Sequence, residues 1–278
     1  MDKISLKIKL LYDHMGKAEK RIADWIFENP KKIISLSIVE LAEQCRCGEA
    51  TIVRFAKRLG LNGFQEIKFS LASENGGSPA STHITSNDSA FEIYQKVIND
   101  IYISLEKTKN VLDEKLLEKA ADSICKADKI VIFGLGNSSS IALDASHKFM
   151  RAGLNATAHT DNHMQVIAAS HLKPGDIAIG ISHSGSSKDI VEALKIAKEH
   201  GALTIAVSNT GKSPILKQSD IVLSTDSEET KYNILALNSR IAQLAIIDTL
   251  YFYIVYKLPD YALESIKETE HSLLTKKY

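Results

Sequence analysis

Four short apolar runs constrain this chain more than any other feature: KIVIF at 129–133, DIAIGIS at 176–182, LTIAVS at 203–208 and DIVLS at 220–224. Each is rich in β-branched residues, and longer amphipathic segments separate one from the next. Strands that are apolar on both sides need helices covering both faces. The alternation therefore predicts a parallel sheet with crossover helices rather than an antiparallel one. No repeat of fixed period accompanies it.

The chain before this region reads differently. Apolar residues recur there at helical spacing in several short segments, and no run has strand character. Between the two patterns, SENGGSPASTHITSNDS (73–89) offers a Gly pair, a Pro and many small polar residues, and almost nothing that could enter a core. The expected organisation is an all-α domain over 1–75, a linker over 76–89, and an α/β domain over 90–278 with a parallel sheet flanked by helices. A leading helical stretch from about Ala90 to Lys126 precedes that sheet. A length of 278 residues suits two domains, and 44% apolar with 24% charged residues excludes a disordered or fibrous chain.

Basic and acidic side chains both number 34, so the whole molecule has no net attraction to nucleic acid or membranes. Residues 1–75, however, carry 13 basic against 10 acidic side chains, which points to that part as the DNA-binding end. Three cysteines, Cys45, Cys47 and Cys125, cannot make a disulfide framework, and nothing resembles a cleavable secretory signal; a reducing cytoplasm is expected. The most apolar stretch, 241–256, is short for a bilayer span and contains Gln243 and Asp248, so it is expected to be a buried helix.

Within 37–64, SIVELAEQCRCGEATIVRFAKRLGLNGF, a projection at 100° per residue gathers Ile52, Phe55, Ala56 and Leu59 on one face. Ala50, Arg54 and Lys57 fall on the opposite face. Ile38, Leu41 and Ala42 form a short amphipathic helix ahead of it, and Arg46 to Gly48 suffice for a tight turn containing glycine. This is the pattern of a helix-turn-helix whose second helix, 49–59, enters the major groove. Small or polar residues near its start would meet base edges, and cations would meet bases and phosphates. A helical bundle with a merely solvated basic face is the alternative.

The longer string from Lys17 to Ala72, with ATIVRF, KRLGLNGF and EIKFSLA in order, resembles the DNA-binding domain of the bacterial RpiR family of transcriptional regulators. That resemblance implies that Glu49, Ala50 and Thr51 lie near base edges, that Arg54, Lys57 and Arg58 meet bases or phosphates, and that Lys68 reaches backbone phosphate. The family usually has Ser at the recognition-helix N-cap, where this chain has Gly48, a cap weaker by a few tenths of a kcal/mol. Trp25 and Phe55 belong to the core. Cys45 and Cys47 form a C-x-C without a second pair, so no zinc site is expected.

Two loops carry the chemistry of the second part. GLGNSSS (134–140) follows the first apolar run, but Ser139 stands where a G-x-G-x-x-G fingerprint needs its third glycine, which argues against a nicotinamide cofactor. ISHSGSSKD (181–189) also leaves a strand and opens a helix. Its hydroxyls, free N–H groups and positive helix end suit a phosphate. The competing reading has the serines simply capping the helices. Residues 130–256 resemble the sugar isomerase (SIS) domain, with its S-x-S-G-x-S/T loop present as Ser182, Ser184, Gly185 and Ser187. The resemblance implies a phosphate held by Ser138, Ser182, Ser184 and Ser187 with a backbone N–H from His183. It also implies sugar contacts from Asp161 and His163, and a role for Glu229 and Arg240 before and on the final helix. His159 and His163 have zinc-like spacing without further ligands. Ser186 and His183 replace an acidic residue and a Gln common in SIS isomerases, which suits a regulator.

Taken together, the expectation is a cytoplasmic regulator of sugar or amino-sugar catabolism that binds DNA as a homodimer or higher homo-oligomer, with no catalytic residue, cofactor or metal. Its partners would be operator DNA and a phosphorylated sugar, the choice falling on an amino-sugar 6-phosphate such as N-acetylmannosamine 6-phosphate or glucosamine 6-phosphate. The rivals are a sugar-phosphate isomerase or lyase with an accessory helical domain, and a constitutive DNA-binding protein with a vestigial SIS fold.

Overall fold

The computed structural model describes residues 4–30, 32–34, 36–74, 84–227, 237–274 and 276. One compact unit holds the chain up to Ile103 with Gly211–Ser213; the other holds Ser104–Thr210, Pro214–Ser227 and the chain from Ser239 onward. Of the expected linker, 76–83 lies outside the described residues. Residues 84–89 lead into a helix through reciprocal Ser89 and Glu92 bonds: Ser89 N–H to Glu92 Oε2 at 2.7 Å, and Glu92 N–H to Ser89 Oγ at 3.3 Å.

The first unit is helical: α1 (Ile4–Leu11), α2 (Lys17–Glu28), α3 (Ile38–Gln44), α4 (Glu49–Arg58) and α5 (Phe64–Glu74). Their apolar stripes meet in one core around Ile8, Ile22, Ile26, Leu41, Ile52, Phe55 and Ile67, with Trp25 packed at its rim. A capping box starts α3, where Ser37 Oγ accepts from Glu40 N–H and the Glu40 carboxylate accepts from Ser37 N–H. The following turn contains glycine as expected, yet the left-handed position is occupied by Arg46 (φ 49). Arg21 of α2 holds this turn. Its guanidinium donates to Cys45 O at 2.8 Å and Arg46 O at 2.9 Å, satisfying carbonyls that a helix end leaves without partners. Gly48 caps α4 without a side chain, and a Cβ there would meet nothing within 4 Å. Gly48→Ser should therefore raise stability by a few tenths of a kcal/mol; an unchanged or lower urea midpoint would contradict this account of the cap.

After the linker come α6 (Ala90–Val111) and α7 (Glu114–Cys125), where the sequence suggested one helical stretch. Asp113 causes the break: its carboxylate accepts from Leu116 N–H at 3.0 Å and starts α7. The alternation then follows as β1 (Ile130–Gly134), α8 (Asn137–Arg151), β2 (Ala156–His159), α9 (Asn162–Ser170), β3 (Ile177–Ser182), α10 (Lys188–Glu199), β4 (Leu203–Asn209), β5 (Ile221–Thr225), α11 (Leu237–Lys257) and α12 (Pro259–Leu274). All five strands are parallel, in the order β2-β1-β3-β4-β5. The four expected runs are β1, β3, β4 and β5. The fifth strand, β2, makes no apolar run because it is a short edge strand of Ala, Thr, Ala and His with only Ala156 buried.

Central β1 and β3 are buried throughout, while edge strand β5 alternates, as a sheet covered on both faces requires. On one face Ile132, Ile179, Ile205 and Leu223 pack with Phe149 of α8 and with Ile247 and Leu250 of α11. On the other face, Phe133, Ala178 and Ala206 pack with Ala169 of α9 and Leu194 of α10. Helix α11 carries the apolar 241–256 stretch, burying Ile246, Ile247, Leu250 and Ile254 while Phe252 and Tyr256 stay exposed. Among the described residues no single helix is long and apolar enough to cross a membrane.

Candidate functional sites

In the helical unit, packing divides α4 as the projection required. Ile52, Phe55 and Ala56 are buried, whereas Ala50, Arg54 and Lys57 are exposed together. Arg54 reaches back to Thr51, its Nη2 lying 3.3 Å from Thr51 Oγ1, so these two side chains form one polar surface beside the start of the helix. Glu49 and Thr51 are half-buried. Two of the expected cations are engaged within the unit. Arg58 donates to His14 O at 2.7 Å and lies 2.9 Å from the Glu19 carboxylate; Lys68 donates to Leu36 O at 3.2 Å. Ala50, Thr51, Arg54 and Lys57 are not tied to another helix in this way among the described residues. Burial pushes the Cys45 thiol up to about 11, with Cys47 adding to the shift, so Cys45 is a protonated core residue.

In the α/β unit the strand order reverses between β1 and β3, and the two serine loops are the ones that leave these adjacent strands. Ligands of open α/β sheets sit in that crevice at the carboxyl ends. Gly134 lets α8 begin close to β1, because a Cβ there would lie 2.5 Å from Ser138 O and 2.9 Å from the Ala142 Cβ. Gly136, at φ 56 and ψ −125, turns the chain into α8 through a conformation that side chains disfavour. The hydroxyls of Ser139 and Ser140 donate to Gly136 O and Asn137 O, leaving Ser138 as the loop serine without such a bond among the described residues.

The second loop is pinned from the β4 side. Asn209 N–H donates to His183 O at 3.0 Å, and Ile215 N–H donates to Gly185 O at 3.0 Å. A trans peptide holds its N–H opposite its C=O. The carbonyl of His183 points to β4, so the N–H of Ser184 is directed away from β4. Ser182 Oγ and Ser187 Oγ lie 3.3 Å apart. Ser184 Oγ accepts from Ser186 N–H at 3.3 Å, which leaves its own proton to donate. Ser187 is the N-cap of α10 but makes no side-chain capping bond. The hydroxyls thus converge at a helix start instead of closing it, which is the arrangement an anion needs.

Around this cradle, Asp161 acts as the cap of α9, accepting from Met164 N–H at 3.0 Å, while His163 is exposed at the same helix start. Burial, with the nearby Lys129, lowers the His159 pKa. Arg240 is half-buried on the first turn of α11, and Glu229 lies outside the described residues. Gln165 was not foreseen. Fully buried, it donates from Nε2 to His159 O at 2.9 Å and to Gly134 O at 3.3 Å, tying α9 to the ends of β2 and β1. A lone Gln in a polar string carries no sequence signal for that role; only its burial reveals it.

The chain matches the helix-turn-helix domain of the rpiR family over residues 3–77 and the SIS domain over residues 123–253. It is 39% identical over 268 residues to an uncharacterised HTH-type transcriptional regulator from Caldanaerobacter subterraneus, spanning 94% of this chain and 93% of that one. It is 34% identical to the HTH-type transcriptional regulator HexR of Pseudomonas aeruginosa, over 88% of this chain and 86% of HexR. Among solved structures, the Vibrio vulnificus NanR protein complexed with ManNAc-6P superposes with a TM-score of 0.82 at 23% identity, covering 99% of this chain and all of that one. The sugar isomerase domain of an RpiR transcription factor from Sphaerobacter thermophilus gives 0.58 at 25% identity over 65% of this chain and 99% of that one.

Proposed function

Because the chain belongs to the RpiR family of helix-turn-helix transcriptional regulators and carries its SIS domain, we propose that it binds operator DNA through α4 and that a sugar phosphate in the serine cradle sets its affinity. Residues 1–75 are then the DNA-binding domain and 90–278 the effector domain, working in the cytoplasm on genes of sugar or amino-sugar catabolism. The observation that carries the first half is the shared exposure of Ala50, Arg54 and Lys57. The second half rests on the uncapped Ser187 facing Ser182 across the start of α10, and the NanR complex with ManNAc-6P supports an amino-sugar 6-phosphate as the first compound to try.

A single α4 reads one half-site. Two must reach successive major grooves about 34 Å apart, so the working form is a dimer. Effector binding changes DNA affinity only by favouring one placement of the paired DNA-binding domains. A thermal-shift panel of sugar phosphates, followed by gel shifts with the stabilising compound, tests the proposal; absence of any stabilising sugar phosphate, or of any change in operator affinity, would refute it.

The isomerase reading is disfavoured by the loop chemistry. His183 and Ser186 replace the Gln and the acidic residue, and the Ser186 hydroxyl donates to Ser184 O at 3.1 Å. Bound sugar phosphate should remain unchanged over hours when followed by NMR. Steady conversion would instead establish an enzyme.

A further inference from the structure

Four of the buried polar atoms that find no hydrogen-bond partner among the described residues are Ser104 Oγ on α6, Ser227 Oγ after β5, and Arg240 Nε and Gln243 Nε2 on α11. Ser104, Ser227 and Gln243 are 4%, 3% and 1% exposed. Buried polar groups left in this state are costly, so each such group calls for an explanation.

Topology places all four on one face at the carboxyl edge of the sheet. Val207 and Leu223 face the α11 side. Side chains alternate along a strand, so Asn209 and Thr225 emerge two residues later on that same face. Asn209 Oδ1 accepts from Ser227 N–H at 2.9 Å. Thr108 Oγ1 accepts from Asp226 N–H at 3.1 Å, which brings the polar face of α6 against the exit of β5, and Ser104 lies one turn earlier on that face. In α11 the Tyr253 hydroxyl donates to Asp122 at 2.7 Å, near the end of α7 that leads into β1 at the amino edge. Gln243, ten residues earlier and about 15 Å back along the helix, is therefore at the carboxyl edge. It stands one turn before the core residues Ile246 and Ile247, with Arg240 a turn further on the same side.

The inventory is unbalanced. Gln243 Nε2 and Arg240 Nε only donate, while the two hydroxyls either donate or accept. Resting on the sugar-phosphate reading above, we propose that this cluster receives the end of the effector remote from the phosphate, and that this end carries an acceptor oxygen, an acylamino carbonyl or a carboxylate. A free ammonium at that position would leave Gln243 Nε2 and Arg240 Nε without an acceptor. The span fits: from β3, which carries the phosphate loop, to β5 is two strand spacings, about 10 Å.

Isothermal titration of the full chain tests this with inorganic phosphate and four compounds that differ away from the phosphate: glucose 6-phosphate, N-acetylglucosamine 6-phosphate, 6-phosphogluconate and glucosamine 6-phosphate. An acceptor-bearing compound should bind at least tenfold tighter than glucosamine 6-phosphate, the acetamido and carboxylate compounds showing which acceptor is read. Gln243→Leu should remove about tenfold of that advantage and leave inorganic phosphate unaffected, and Ser104→Ala should act in the same direction. The ligand-free Gln243→Leu protein should unfold at the same or a higher temperature, since an unpaired buried amide is replaced by a side chain that needs no partner. Unchanged discrimination in both variants, tightest binding of glucosamine 6-phosphate, or a drop of several degrees in the ligand-free variant would overturn the assignment. Failure of phosphate and of every sugar phosphate to bind would instead overturn the cradle reading on which it rests.

Discussion

Arg54→Ala should weaken operator binding by on the order of 1–3 kcal/mol, the usual loss for an arginine that reads a base edge. Arg54 is exposed, and its side chain bonds to Thr51, which is itself on the same surface. The domain should therefore keep its stability, and the loss should appear in the gel-shift titration alone. Lys57→Ala offers the contrast: a phosphate-contacting lysine weakens all sequences nearly equally and lowers the salt slope by about one. Arg58→Ala should behave differently again. Its guanidinium links α4 to His14 and Glu19, so its removal should lower the unfolding midpoint of the helical domain. Wild-type operator affinity in Arg54→Ala would place the DNA surface elsewhere.

Ser187→Ala should weaken effector binding by about 1.5–3 kcal/mol, the range for hydrogen bonds to a charged group. Ser187 discriminates better than its neighbours, because its hydroxyl makes no capping bond whose loss would destabilise α10. Ligand-free stability and ligand-free DNA affinity should stay near wild type while the response to effector fails. The dephosphorylated sugar should bind poorly to wild type as well, since the converging hydroxyls and the helix start would have no anion to meet. A calorimetric titration in which Ser187→Ala binds the sugar phosphate normally, with full effector response, would make the loop a structural turn.

The two proposed sites were legible to different depths. Helical periodicity alone divided α4 into a buried face at Ile52, Phe55 and Ala56 and an exposed one at Ala50, Arg54 and Lys57, because burial along a helix is a local consequence of 3.6 residues per turn. It could not say which exposed cations are free. Arg58 and Lys68 satisfy carbonyls of residues distant in sequence, His14 and Leu36, and such partners have no local signal. The same limit hid Arg21 at the turn after α3 and Gln165 beneath the cradle.

By itself, the sequence determined the fold class, the strands β1, β3, β4 and β5, and the identity of both serine loops, since each depends on the spacing of residues close together along the chain. Strand order was a tertiary decision. Only the arrangement β2-β1-β3-β4-β5 makes neighbours of loops more than forty residues apart and turns two ordinary strand-to-helix connections into one crevice. The direction of the peptide after His183 and the gathering of Ser104, Ser227, Arg240 and Gln243 at one edge were likewise decided by packing. Hydrogen bonds and burial depend on which surfaces meet in space, and no periodicity along the chain encodes that.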